Sequence, residues 1–144
     1  MQISDLLGHK GSEVISILPS ETLAAAARKL TEHRIGALVV RDRIGRLVGM
    51  ISERDLVTAL TQHGAGVLTL PVSDAMTPDV LTCRPTDAVR DIMALITVRR
   101  IRHIPVCEGD RLLGIVSIGD VLKSRLNERE AELNMLRDLT IARV

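Results

Sequence analysis

Apolar positions along the chain alternate between two periods. Leu23, Ala26, Ala27 and Leu30 fall on one face of a helix reaching about His33, in an Ala-rich run that favours helix, with Ser20 or Thr22 placed to cap it. Residues 37–40 (Ala-Leu-Val-Val) are a continuous apolar run of strand length. Asp42-Arg43-Ile44-Gly45 reads as a hairpin turn into a second strand over 46–51, and Ser52 caps a helix to about Gln62. A short strand over 14–18, closed by Pro19, precedes them. The order is strand, helix, strand, strand, helix.

The same order returns further along, with strand 81–84, helix 87–98, strand 103–107, a turn at Gly109-Asp110, strand 112–116 and a helix from Ser117. Val14, Pro19 and Val40 match Val80, Pro85 and Val106; past the turn Gly49, Ser52 and Asp55 match Gly114, Ser117 and Asp120, with one residue fewer in the second turn. Ile3-Ser4-Asp5 and Val72-Ser73-Asp74 echo each other ahead of the two copies. Such duplication decides the architecture before any local motif does. One copy can bury only a modest core by itself. Two copies stacked sheet to sheet solve that and create two equivalent clefts about a pseudo-two-fold axis. The expected fold is α+β: two β-α-β-β-α units and a C-terminal helix, divided as 1–63, a connector over 64–71, 72–126, and 127–144. The uncharged apolar stretch 67–71 is expected to pack on the body. In the tail, Leu122, Leu126, Leu133 and Leu136 follow a heptad-like spacing that Arg129 and Thr140 interrupt, so it packs on its own body or serves as a dimer-stabilising or partner-binding arm.

Composition narrows the function. Lys and Arg total 19 against 18 Asp and Glu, a balance unlike that of a protein that neutralises a phosphate backbone. The chain has no Phe, Tyr or Trp, so it lacks the stacking platforms of single-strand nucleic-acid binders, and a planar ligand would lie between aliphatic side chains. Two cysteines, Cys83 and Cys107, read as small buried hydrophobes in a reducing compartment rather than a scaffold, a thiol nucleophile or a zinc site. His9, His33 and His63 read as solvated. No secretory signal or membrane-length apolar run is evident, which points to the cytoplasm and to no membrane partner.

The candidate chemistry lies in Gly49-Met-Ile-Ser52-Glu-Arg-Asp55 and Gly114-Ile-Val-Ser117-Ile-Gly-Asp120. Ser before a helix with Asp three residues on is ordinary capping. Twice in register, with Gly three residues ahead, it also suits a ribonucleotide. The helix start and Ser hydroxyl favour phosphate, the carboxylate accepts from ribose hydroxyls, and Gly admits close approach. No Walker lysine, metal-binding carboxylate cluster or general base accompanies these segments, so catalysis and a metal site are not expected.

With GMISERD and GIVSIGD, the RHIPV segment over 102–106 and the VSDAM opening at 72–76, nearly the whole chain resembles a tandem pair of cystathionine-β-synthase (CBS) domains, a Bateman module. The resemblance implies a non-catalytic regulatory module without a catalytic cofactor. Such a module binds an adenine nucleotide such as AMP or ATP between the repeats, pairs into a disc-shaped homodimer and signals to an effector protein. The alternative is a structural or dimerisation module with unoccupied clefts, acting through its C-terminal helix. Carried over, the resemblance assigns Asp55 and Asp120 to ribose, Ser52 and Ser117 to phosphate or ribose, and the backbone of Ile15-Ser16 and Leu81-Thr82 to the adenine edge. Arg102 is placed at phosphate, and its first-copy counterpart is Gly36, so the cleft built on Ser117 and Asp120 is expected to bind phosphate better. His103 is either a phosphate contact or a satisfied histidine at the start of its strand.

Overall fold

The structure, a computed structural model, describes residues 1–10 and 14–142, with side chains other than those of 8–10 and 142. The elements run α1 (Ile3–Lys10), β1 (Ser16–Ile17), α2 (Leu23–His33), β2 (Ala37–Arg41), β3 (Leu47–Ser52), α3 (Glu53–His63), two 3-10 turns (Gly64–Thr69 and Val72–Asp74), α4 (Val89–Arg99), β4 (His103–Glu108), β5 (Arg111–Ser117) and α5 (Ile118–Ala142).

In the first repeat β1 runs parallel to β2, with Ile17 against Val40, and β2 pairs antiparallel with β3, Val39 opposite Met50. In the second, β4 and β5 pair antiparallel, Pro105 opposite Ile115. The strand expected over 81–84 is reduced to a single parallel bridge, Cys83 to Val106. Pro85 bounds the pairing on one side just as Pro19 bounds β1, and on the other side Leu81 and Thr82 are exposed and in no ladder.

Side chains alternate across a sheet, so each strand has an inner and an outer set. Leu38, Val40 and Ile51 join Ile17, Leu23, Ala26, Leu30 and Ala59 in one core; Ile104, Val106 and Val116 join Cys83, Val89, Ile92, Ile96 and Val121 in the other. On the opposite faces Val39, Met50 and Pro105 are buried as well, although they belong to neither core. Sheets buried on both faces are what sheet-to-sheet stacking of the two repeats requires.

The opening segments are exchanged. Ile3 and Leu6 of α1 lie in the core of the second repeat, while Val67 and Val72 lie in that of the first. The backbone repeats this with matching bonds. Ile3 N–H donates to the Asp87 carbonyl and Ser4 to that of Pro85, as Val72 does to Glu21 and Ser73 to Pro19. Val67 is buried and Leu70 packs on the core, as expected of the connector, whereas Leu68 is exposed. The last helix is continuous from Ile118 through Ala142 and so runs across the boundary drawn at 126. Val121 and Ser124 dock on the body, and the face carrying Leu126, Leu133 and Leu136 is exposed, so of the two alternatives for the tail, packing along its length on its own body is not the one observed.

Candidate functional site

Both Gly-x-x-Ser-x-x-Asp segments fold into the same unit: a strand ends at Ser and a helix begins on the next residue. Ser52 N–H and Oγ–H donate to Asp55 Oδ2 at 2.8 and 3.0 Å, and Asp55 N–H donates back to Ser52 Oγ at 3.2 Å. In the second repeat Ser117 N–H and Oγ–H reach Asp120 Oδ2 at 2.9 and 2.9 Å, and Asp120 N–H reaches Ser117 Oγ at 3.1 Å. These reciprocal boxes satisfy orphan donors at the helix start. They fix each carboxylate beside its serine.

A cleft of about 320 Å³ lies between the repeats. Val14, Ile15, Ile35, Gly36 and Ala37 of the first repeat form one wall; His103, Gly114, Ile115 and Ser117 of the second form the other, and Leu7 of α1 completes it. A side chain at Gly36 would begin 3.6 Å from His103 Cε1, so the two residues face each other across the repeat boundary. The cleft therefore brings together four residues expected from sequence: Ile15, His103, Gly114 and Ser117, with Asp120 bonded to Ser117. Ser16 is not part of that lining: its carbonyl accepts from Lys29 Nζ at 2.8 Å, and it lines a separate groove beside the β2–β3 turn.

Arg102 does not line this cleft. Its counterpart Gly36 stands there instead, because the cleft combines the start of β2 from the first repeat with the end of β5 from the second. Arg102 is exposed, and its carbonyl accepts from Ile118 N–H. The side chain expected at phosphate beside Ser117 and Asp120 is therefore not among the residues that line this cleft, although its backbone borders Ser117 through the Ile118 bond. Leu81 and Thr82 are exposed and in no strand, and Thr77 Oγ1 lies 3.5 Å from Asp55 Oδ1.

The two motif glycines have a packing reason that sequence reading missed. A Cβ on Gly114 would fall 2.6 Å from Leu7 Cδ2, and one on Gly49 would fall 2.8 Å from the Thr77 carbonyl and 2.9 Å from Met76 Sδ. Leu7 and Met76 occupy matching positions after the echoing Ile3-Ser4-Asp5 and Val72-Ser73-Asp74, so each opening segment crosses one glycine. That echo was the available signal for Leu7; Ile35 and Ala37 carried none beyond their apolarity.

Cys83 is buried at the position matching Ile17, and burial pushes its thiol up to about 12. Burial also raises the Cys107 thiol, with Arg41 opposing. Neither is a ready nucleophile. His33 and His63 are exposed, whereas the side chain of His9 lies outside the described residues. Among the described residues no cluster of His, Cys, Asp or Glu is arranged to hold a metal, and no helix is long and apolar enough to cross a membrane.

The family profile of the CBS domain matches residues 4–62 and again 72–127. Among solved structures, the CBS-domain containing protein ATU1752 from Agrobacterium tumefaciens superposes with a TM-score of 0.83 at 44% identity, covering 86% of this chain and 92% of that one. The CBS domain pair of protein MJ0100, in complex with 5′-methylthioadenosine and S-adenosyl-L-methionine, gives 0.76 at 27% identity over 90% and 98% of the two chains. CBSX2 in complex with AMP gives 0.73 at 25% identity over 89% and 98%. With two matched repeats, duplicated capping boxes and exchanged openings, the chain belongs to the CBS domain family as a tandem pair.

Proposed function

We propose that this chain is a non-catalytic regulatory sensor of an adenosine-containing ligand, acting in the cytoplasm as a homodimer on an effector protein. The observation that carries the reading is the cleft shared by the repeats, with apolar walls and the Ser117–Asp120 box against one of them. Its size falls in the range of small-ligand pockets. An adenine ring fits between Ile15, Ile35, Ala37 and Ile115, where backbone groups of the first strand can read its edge. Asp120 would accept from ribose hydroxyls and Ser117 would donate to ribose or phosphate. The AMP, methylthioadenosine and S-adenosylmethionine complexes of the related pairs support this class of ligand.

With Gly36 rather than an arginine in this cleft, His103 is the group nearest to serve a phosphate. The reading therefore favours AMP or a sulfonium adenosine over ATP here, and assigns Arg102 to the cleft on the Ser52–Asp55 side. Signalling requires that the ligand prefer one arrangement of the repeats, since equal affinity for both would shift nothing.

A dye-reported thermal melt tests this, the dye being necessary because the chain has no Trp or Tyr. At about 100 times its Kd, a ligand should stabilise the fold by roughly 2.7 kcal/mol. Asp120→Ala should abolish the shift from the ligand in the Ile15 cleft, whereas Asp55→Ala, which loses an equivalent cap, should retain it. No shift with AMP, ATP or S-adenosylmethionine at millimolar concentration would overturn the reading in favour of a purely structural module.

A further inference from the structure

From Arg125 onward α5 leaves the body. Leu126 is 66%, Leu133 49% and Leu136 60% exposed, while Val121 and Ser124, on the other side of the same helix, are buried. A free arm of this length is marginally helical in water unless its apolar face is covered. We propose that this face is the seam of a parallel, in-register coiled coil with α5 of a second copy of the chain. The inference deepens the homodimer reading above and rests on it, but not on the nucleotide.

The charge pattern beside the seam selects the partner and its direction. Leu122, Leu126, Arg129, Leu133, Leu136 and Thr140 are spaced alternately by four and three, which makes Leu126, Leu133 and Thr140 the a positions and Leu122, Arg129 and Leu136 the d positions. The flanking g positions then include Arg125 and Glu132, and the flanking e positions include Glu130 and Arg137. In a parallel pair each g residue meets the e residue five positions on in its partner. Arg125 meets a glutamate and Glu132 meets an arginine, and the symmetry repeats both contacts. In the antiparallel arrangement that covers the whole seam, e faces e and g faces g: Lys123 meets an arginine, and Glu130 and Glu132 each meet themselves. Staggered antiparallel registers restore favourable signs only by leaving seam positions unpaired. Arg129 is the one charged residue in the seam; it weakens the pair and keeps it reversible, its long stem packing while the guanidinium reaches the rim.

The full-length chain tests this by light scattering and by cross-linking with oxidised glutathione. Leu133→Cys puts two thiols face to face in the parallel pair, but opposite Arg129 in the antiparallel one. Asn134→Cys, one position off the seam, is the control, and the unaltered chain reports Cys83 and Cys107. The expected result is a dimeric mass, rapid covalent dimer from Leu133→Cys but not from Asn134→Cys, and self-association tightened about tenfold or more by Arg129→Leu. A dimeric mass without preferential cross-linking at 133, or with no response to Arg129→Leu, overturns the seam and leaves the homodimer reading standing. A monomeric mass at the highest attainable concentration overturns both, while nucleotide binding remains separately testable by melting.

Discussion

At the scale of single residues, matching positions in the two repeats show what each side chain is for. Ile17 and Cys83 each make the parallel pairing that begins their repeat, and each is 2% exposed. Cys83 thus fills a hydrophobic position, and burial is the first cause that holds its thiol protonated, to about 12 from an ordinary value of 9.0. The sign of the pH effect follows. The folded state retains a proton that the unfolded chain releases, so this contribution is whole below about pH 9 and is lost as pH rises towards 12. Urea denaturation at pH 8 and pH 10 should show a fall in stability, and Cys83→Val should reduce that fall. An identical fall in the variant would assign it to other groups. Cys83 as a buried hydrophobe was legible from sequence, because its repeat partner is isoleucine. The use of Gly49 and Gly114 to admit Met76 and Leu7 was not, since the contacting atoms come from distant segments.

Among the elements, the repeats differ in how their first long helices begin. Thr22 caps α2, its Oγ1 accepting from Ala25 N–H at 3.2 Å. The matching residue before α4 is Ala88, which supplies no side-chain acceptor, though its backbone is equally extended. Ala88→Ser should therefore stabilise the protein by about 0.5–2 kcal/mol, read as a rise in urea midpoint at unchanged slope. Thr22→Ala should lose a similar amount, and no gain from Ala88→Ser would mean that the bond Asp91 N–H already makes to the Ala88 carbonyl serves that donor equally well. Both helices also end alike, with Arg34 and Arg100 in the left-handed region at φ 53° and 55°. A sequence reader places these helices from their periodicity. The non-glycine ends stay hidden, because arginine is an unusual residue at a left-handed cap.

For the whole molecule, the decisive feature is the exchange of opening segments. A cut drawn from the repeat, giving 1–63, separates the first core from Val67, Val72 and Met76 and retains α1, whose Ile3 and Leu6 belong to the other core. A fragment spanning 14–77 should be better folded than one spanning 1–63, since it keeps those three apolar side chains and the Met50–Thr77 backbone pairing. Circular dichroism and urea titration of the two fragments would decide this. Equal stability would show that Val67, Val72 and Met76 contribute little to the first core.

The sequence by itself determined the two repeats, their element order, the helix-capping serines and aspartates and the stacking of two sheets. Each of these follows from spacing within a few tens of residues, where period and turn chemistry act. Only the tertiary structure decided which half of the cleft comes from which repeat, that Gly36 rather than Arg102 lines it with Ser117, and that α5 leaves the body with its leucines exposed. These depend on contacts between segments far apart in the chain. A residue's own sequence neighbourhood carries its tendency to be buried, but not the identity of the surface that buries it.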